Sequence, residues 1–395
     1  MKIVLFANTD WYLYNFRLSL AAALRDAGHD VLLMSPCGPY GEKLRALGFK
    51  WTPAPMNRQS LNPLREIALL LWLWKVMHSE RPDIVHGFTI KCAIYGALAA
   101  RLVGAARVSA VVGMGYVFIC DAPRARLLRP VVWALMRAAF AGRRARLILQ
   151  NPDDVRLFLD ANIVAPEQIR LIPGSGVDCL RFAPPSDTCV GNGTLRVVLA
   201  GRLLWDKGLA EFVEAARLLK AEGRQVEFVL AGLADKGNPA SVSERIVREW
   251  QNEGLVEWLG HVSDMPALLG EADIVVLPSY REGLSRSLAE AAACAKPLIA
   301  ADVPGCRDVV VHELTGLLVP VRDPRALARA IARLQDDRPF ARRLGLAARE
   351  KALAEFDERI VIERTIAVYN ELLTNGVGYE QRRGLLNRVR ANLSI

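Results

Sequence analysis

LRVVLAGRLLWDKG, residues 195–208, is the stretch on which the reading of the fold turns. A short run dominated by Leu, Val and Ala stops at Gly201. Arg202, Lys207 and Gly208 then occupy a loop ahead of an amphipathic segment, 209–222, that reads as a helix. The helix leads to another apolar run, VEFVLAG (226–232). A buried strand, a glycine-bounded loop, a helix and a second buried strand form the unit of a parallel sheet, because parallel neighbours need a crossover and the helix supplies it while covering one face.

The same grammar extends in both directions. Downstream come helix 241–252, VEWLG (256–260), helix 264–270, DIVVLPS (273–279), helix 285–295, PLIAAD (297–302) and GLLVP (316–320). Upstream stand KIVLFA (2–7), helix 16–27, HDVLLMS (29–35), helix 64–79, DIVHGF (83–88), helix 92–103 and RVSAVVG (107–113). This alternation predicts an α/β protein of two Rossmann-like domains facing across a cleft. The Pro- and Gly-containing FAPPSDTCVGNGT (182–194) reads as the linker. The expected domains are therefore 1–183 and 195–355, followed by a C-terminal helix and basic tail, 356–395, that crosses back to the first domain. Helices are expected at 324–335, 339–355 and 357–374. Open parallel sheets bind ligands beyond the carboxyl ends of their strands, which places the function between the two halves.

The 395 residues, 52% hydrophobic, are enough for two or three cores. IALLLWLW (67–74) ends at Lys75 and PVVWALMRAAFAG (130–142) is interrupted by Arg137, so neither reaches the roughly 18 apolar residues of a spanning helix. The opening MKIVLFANTD turns polar too soon for a secretory signal, and the expected location is cytosolic or peripheral to a membrane. Seven scattered cysteines with no C-x-x-C support neither a disulfide framework nor a zinc site, and no metal or cofactor is expected. No G-x-x-x-x-G-K-[ST] or G-x-G-x-x-G occurs in the glycine loops, which argues against P-loop hydrolysis and nicotinamide binding.

The net charge of +9 lies entirely in residues 1–180, with 22 Lys/Arg against 13 Asp/Glu; 181–395 hold 29 of each. Within 101–146 there are nine arginines and one acid, Asp121, interleaved with Tyr116, Phe118, Trp133 and Phe140. Such a face suits nucleic acid, anionic lipid or a pyrophosphate-bearing substrate, or is a solvated helix surface.

EGLSRSLAE (282–290) sets Glu282 and Glu290 around a Gly, two serines and an arginine. In a continuous helix they would stand roughly 12 Å apart, too far for the carboxyl pair of a retaining glycosidase at about 5 Å. Gly283 instead puts Glu282 in a loop before a helix, where two carboxylates hold two parts of one long ligand. The backbone N–H groups of Gly283, Leu284 and Ser285 at that helix start, and Arg202 and Lys207 beyond Gly201, suit phosphate and sugar oxygens.

GRLLWDKG some 80 residues before EGLSRSLAE, then KPLIAADVPGCRDVV (296–310) and TGLLVPVRDPRALARAI (315–331), resembles the retaining glycosyltransferases of family 4, which have the GT-B fold. The resemblance implies that Arg202 and Lys207 bind the diphosphate of a nucleotide-sugar, that Glu282 contacts the transferred sugar and that Glu290 contacts the ribose. Ala295 stands where the family has Gly, a departure expected to tighten the turn before Lys296. PDIVHGFTIKCAIYGALAARLVG (82–104), VVGMGYVF (111–118) and LQNPDDVRLF (149–158) resemble a narrower group that extends undecaprenyl-diphosphate-linked sugars, the bacillosaminyl-diphospho-undecaprenol N-acetylgalactosaminyltransferases among them.

That resemblance implies transfer without a metal or cofactor from a nucleotide-sugar, UDP-linked by expectation, to a polyprenyl-diphosphate-linked saccharide. The leaving diphosphate takes the acceptor hydroxyl's proton on the same face. Asp10, Arg17, His86, Lys91, Gly113 and Gly115 are the acceptor-side candidates. Phe88 stands where many relatives have a second His, leaving His86 either at the reaction centre or packed; Lys91 either meets a pyrophosphate or is a surface lysine. Residues 67–74 and 124–146 would rest on anionic lipid of the inner leaflet, 67–74 reading also as a buried core helix. A GT-B nucleotide-sugar epimerase is the alternative. A nucleic-acid-binding protein would leave the Arg202, Lys207, Glu282 and Glu290 set without a role.

Overall fold

The computed structural model describes residues 1–58, 60, 62–113, 123–184, 194–235 and 237–374. The chain divides into two compact units, Met1–Ile172 together with the chain from Val361, and Pro173–Ile360.

The first unit holds a seven-stranded sheet of β1 (Lys2–Phe6), β2 (Asp30–Ser35), β3 (Lys50–Pro53), β4 (Ile84–Phe88), β5 (Ala106–Ala110), β6 (Ala145–Leu149) and β7 (Ile169–Leu171), in the order β3-β2-β1-β4-β5-β6-β7. All its pairings are parallel. Its helices are α1 (Asp10–Phe16), α2 (Leu18–Asp26), α3 (Gly41–Ala46), α4 (Pro63–Glu80), α5 (Ile90–Leu102), α6 (Pro123–Phe140) and α7 (Pro152–Asp160). The second unit has six parallel strands, β8 (Leu195–Ala200), β9 (Val226–Ala231), β10 (Glu257–Gly260), β11 (Ile274–Leu277), β12 (Leu298–Ala301) and β13 (Leu317–Val319), in the order β10-β9-β8-β11-β12-β13. Its helices are α8 (Leu209–Ala221), α9 (Glu244–Asn252), α10 (Met265–Glu271), α11 (Arg286–Ala293), α12 (Pro324–Asp336) and α13 (Arg338–Lys351).

Central strands such as β4, β5 and β11 are buried along their length. They are covered on both faces by helices, as near-continuous apolar runs require. Side-chain caps start the helices: Thr9 accepts from the Tyr12 amide, and Asn151 from the Asp154 amide with Pro152 at the first position.

Several expectations need correction. The unit boundary falls at Ile172/Pro173, ahead of the Pro/Gly-rich linker, because Val177, Cys179 and Phe182 are buried in the second unit's core with Ala352 and Phe356. Loop composition marks irregular backbone, whereas a core ends where apolar contacts end. The helix expected over 16–27 spans Leu18–Asp26, and a separate helix, Asp10–Phe16, precedes it. Arg17 breaks them at φ −131°, its guanidinium buried between Tyr12, which accepts a hydrogen bond at 3.0 Å, and the Phe88 ring at 4.3 Å. β3, β6 and β7 were not legible as strands.

The last described helix, 358–374, contributes Val361, Val368, Tyr369 and Leu372 to the first unit's core. Its Glu371 is gripped by Arg146 at 2.6 Å and Arg170 at 2.5 Å. Other arginines of the basic segment also hold the fold: Arg101, Arg107 and Arg144 donate to the carbonyls of Ala138, Ala141 and Gly104, and Arg137 to those of Ala161 and Asn162. Arg107 and Arg146 are buried, whereas Arg101, Arg137 and Arg144 are exposed, so their bonds to carbonyls tie them to the fold and leave their charge at the surface. Among the described residues no helix is long and apolar enough to cross a membrane.

Candidate active site

In the second unit the strand order reverses between β8 and β11, and the loops leaving the carboxyl ends of those two strands are Gly201–Gly208 and Pro278–Ser285. The crevice of an open parallel sheet lies at such a switch point. The two motifs singled out in the sequence are therefore neighbours at the position where topology puts a ligand.

Several contacts lock these loops together. The Tyr280 amide donates to the Asp206 carbonyl at 2.9 Å. Gly208 adopts φ +73°, and a Cβ there would lie 2.2 Å from the Pro278 carbonyl oxygen, so only glycine permits this approach. A third loop joins them after β12. Glu282 donates its amide to the Pro304 carbonyl and Ser285 donates its amide to the Gly305 carbonyl, each at 3.1 Å. The Ser285 N–H is consequently engaged by the protein, which corrects the expectation that it faces the ligand. Its hydroxyl instead caps α11, accepting from the Leu288 amide.

The charged side chains meet in pairs. Lys207 Nζ lies 2.5 Å from Glu282 Oε1, both largely shielded from solvent. Arg202, more exposed, lies 2.7 Å from Asp235 Oδ2 on the loop after β9. Arg286 Nε donates to Glu290 Oε1 at 2.7 Å, and Arg286 Nη1 to Ser175 Oγ at 3.0 Å. Burial raises the Glu290 pKa, with Arg286 opposing the rise. A Cβ at Gly201 would meet nothing within 4 Å among the described residues, so the space before it is open to a ligand. Asp235, Arg286, Pro304, Gly305 and Ser175 were missed as site residues. VPG after a strand and the i, i+4 spacing of Arg286 and Glu290 carried the local signal for them.

The acceptor-side candidates fare differently. Asp10 is buried, its Oδ2 accepting from the Tyr40 and Gly41 amides at 2.6 and 2.9 Å and its Oδ1 from the Trp11 amide, so it organises the loop before α3. The Lys91 ammonium donates to the Asn57 and Ser60 carbonyls and to Glu66, which accounts for its three hydrogen bonds. His86 is buried at the end region of β4, its Nδ1 2.6 Å from the Tyr369 hydroxyl and its ring 4.0 Å from that of Phe88. Its Nε2 has no hydrogen-bond partner among the described residues. Burial, then the neighbouring Arg17 charge, holds its pKa well below the ordinary histidine value. Arg17 is likewise buried, and its Nε has no hydrogen-bond partner among the described residues. Gly113 is at φ +77°, in the left-handed region, and Gly115 lies outside the described residues.

Residues 191–351 match the family described as glycosyl transferases group 1, and residues 15–174 match the glycosyl transferase 4-like domain. Over 386 residues the chain is 30% identical to an N,N'-diacetylbacillosaminyl-diphospho-undecaprenol alpha-1,3-N-acetylgalactosaminyltransferase of Campylobacter jejuni, covering 95% of this chain and 100% of the relative. The chain belongs to the group 1 glycosyltransferases. A UDP-Gal:alpha-D-GlcNAc-diphosphoundecaprenol alpha-1,3-galactosyltransferase of Escherichia coli is 26% identical, covering 72% of this chain and 74% of the relative. Among solved structures, Anabaena HepE in complex with UDP superposes with a TM-score of 0.75 at 21% identity, covering 94% of this chain and all of that one. Sucrose-phosphate synthase from Thermosynechococcus elongatus superposes with a TM-score of 0.77 at 21% identity, covering 95% and 100%. This group 1 glycosyltransferase therefore has the GT-B fold. It is a transferase, and the epimerase alternative falls with that assignment.

Proposed function

We propose that the protein moves an N-acetylhexosamine or hexose from a UDP-sugar to a saccharide carried on polyprenyl diphosphate, with retention of configuration, as a step in surface polysaccharide or glycan assembly. Lys207 and Arg202 take the donor diphosphate, Glu282 the sugar and Glu290 the ribose. The observation that carries this reading is the Lys207–Glu282 pair, 2.5 Å apart where the two switch-point loops meet, with open space before Gly201. A diphosphate arriving there offers Lys207 a doubly charged partner in place of Glu282, freeing that carboxylate for sugar hydroxyls. Charge on the departing diphosphate is then met by fixed cations, which is where such a site gains its rate.

The acceptor class is supported by relatives whose names place their sugars on undecaprenyl diphosphate, and the nucleotide by the UDP-Gal of one relative and the UDP bound in HepE. Such an acceptor places the protein at the inner face of the cytoplasmic membrane. The test is a screen of UDP- and GDP-sugars with and without a polyprenyl-diphosphate monosaccharide. The expected result is acceptor-dependent release of UDP that Lys207→Ala and Glu282→Ala each lower strongly. Consumption of no nucleotide-sugar, or turnover indifferent to both substitutions, overturns the proposal.

A further inference from the structure

Helix α11 carries a charged pair in an order that does nothing for the helix itself. Arg286 is its first residue and Glu290 stands one turn later on the same face. A cation at the amino end with a carboxylate behind it opposes the helix dipole, which favours the reverse order. The pair is closed all the same: Arg286 Nε donates to Glu290 Oε1 at 2.7 Å, the two side chains being 28% and 13% exposed. Arg286 is also tied away from the helix, its Nη1 donating to Ser175 Oγ at 3.0 Å. The segment that bears Ser175 is pressed against the entry to α11, since a Cβ on Gly174, at φ +66°, would lie 2.8 Å from Leu284 Cδ2. Two anchors thus hold the guanidinium, and through it the carboxylate, in one place.

We infer that Arg286 is a positioning residue of the donor site, fixing the Glu290 carboxylate as the acceptor for the vicinal hydroxyls of a ribose. Those hydroxyls donate hydrogen bonds, and a charged carboxylate takes them more strongly than a neutral acid. Glu290 needs support to stay charged, because burial raises its pKa; Arg286 opposes the rise, with Arg181 a further opposing charge. Of its neighbours at the helix end and on α13, Cys294 has its thiol pushed up to about 11 by burial and stays neutral near pH 7, and Arg349 donates to the Phe182 and Ala293 carbonyls. This deepens the proposed function and rests on its assignment of Glu290 to the ribose.

Removing the guanidinium leaves burial opposed by Arg181 alone, so the Glu290 carboxyl keeps its proton to higher pH. Below that pKa the site offers the ribose a neutral acid and its grip weakens; above it the grip returns in part, because the charge is restored and the anchor is not. An arginine that merely packed the site would, when removed, weaken every nucleotide alike and at every pH. One that served only the stability of α11 would change unfolding and leave the choice between ribose and deoxyribose untouched.

The test is calorimetric titration of the full chain with UDP and with 2′-deoxy-UDP, from about pH 6 to about pH 9. The parent is expected to prefer UDP by at least about tenfold, with little change over that range. Arg286→Leu cuts the preference to about threefold or less at the acid end and regains part of it at the alkaline end. Arg286→Lys, which keeps the charge and loses the fork that reaches both Glu290 and Ser175, gives an intermediate preference without the pH dependence. Ser175→Ala, which removes only the outer anchor, lowers the preference by a smaller factor. Melting temperatures establish that the variants fold, and the lysine and Ser175 variants carry the test should the leucine variant not fold. A parent-like preference in the Arg286 variants at every pH, or an equal loss of affinity for both nucleotides, overturns the inference; Glu290 keeps its ribose assignment in that case if Glu290→Gln removes the preference. A parent that binds no UDP, or a preference that survives Glu290→Gln, overturns that assignment in the proposed function and the inference with it.

Discussion

Lys207 and Glu282 neutralise each other where solvent is largely excluded, so removing either leaves the other's charge poorly compensated. In Lys207→Ala an incoming diphosphate meets a carboxylate where it should meet an ammonium. Steady-state kinetics on the Lys207→Ala enzyme should show kcat lower by about 10²–10³-fold, in line with the loss of one preorganised charge donor, together with a raised donor KM. His86 supplies a test in pH. Its folded pKa is depressed, so the unfolded chain binds the proton that the folded chain refuses. Its contribution to stability is then complete above the unfolded value of about 6.5 and is lost as pH falls below it, by up to about 1.4 kcal/mol per pH unit. Urea unfolding followed at pH 7 and pH 5 should show this slope in the parent and a shallower one in His86→Gln.

At the scale of single elements, α11 shows how local rules and site geometry divide the work. Ser285 caps it, and the residues after it are forced by what they support: Cys294 ends the helix and Ala295 turns at φ +56°. A left-handed alanine carries strain of about 1 kcal/mol, which glycine lacks. Ala295→Gly should therefore raise the unfolding free energy by several tenths to about 1 kcal/mol, read from denaturant midpoints, without altering donor KM. The same element places Arg286 one turn before Glu290, where its guanidinium joins that carboxylate to Ser175. The i, i+4 spacing of Arg286 and Glu290 is legible in a sequence; the tie to Ser175, 111 residues away, is not.

For the whole molecule, the consequential feature is that the first unit is discontinuous. Residues 361–374 return to it after the second unit is complete, and Tyr369 is fully buried there against His86. Ending the chain after Ile360 removes Val361, Val368, Tyr369 and Leu372 from that core and leaves Arg146, itself buried, without Glu371. The truncated protein should lose hydrogen-exchange protection in β4, β5 and β6 while α8 and β8 keep theirs. Equal protection in both units would show that the helix is dispensable.

What was legible and what was not follow from the range of the interactions involved. Apolar periodicity is local, so the strand–helix alternation, most of the sheet strands and the two glycine-bounded loops could be read along the chain. GRLLWDKG and EGLSRSLAE could be placed on loops for the same reason. β6 escaped because Arg146 sits inside ARLIL, and only a glutamate 225 residues further on makes that charge compatible with burial. For Asp10 and Lys91 a sequence shows the charge and conceals its partners: here, the amides of Tyr40 and Gly41 and the carbonyls of Asn57 and Ser60. For 67–74, apolar all round, a surface and a buried reading both stood open until packing took Leu69 and Leu73 into the core and left Ile67 and Leu71 exposed. By itself the sequence determined the α/β class, the family and the placing of the two glycine-bounded motifs on loops, all of which are written in near neighbours. Tertiary structure alone decided which charges are already paired, where the first unit ends and which apolar face stays in contact with solvent, because each depends on residues brought together from distant parts of the chain.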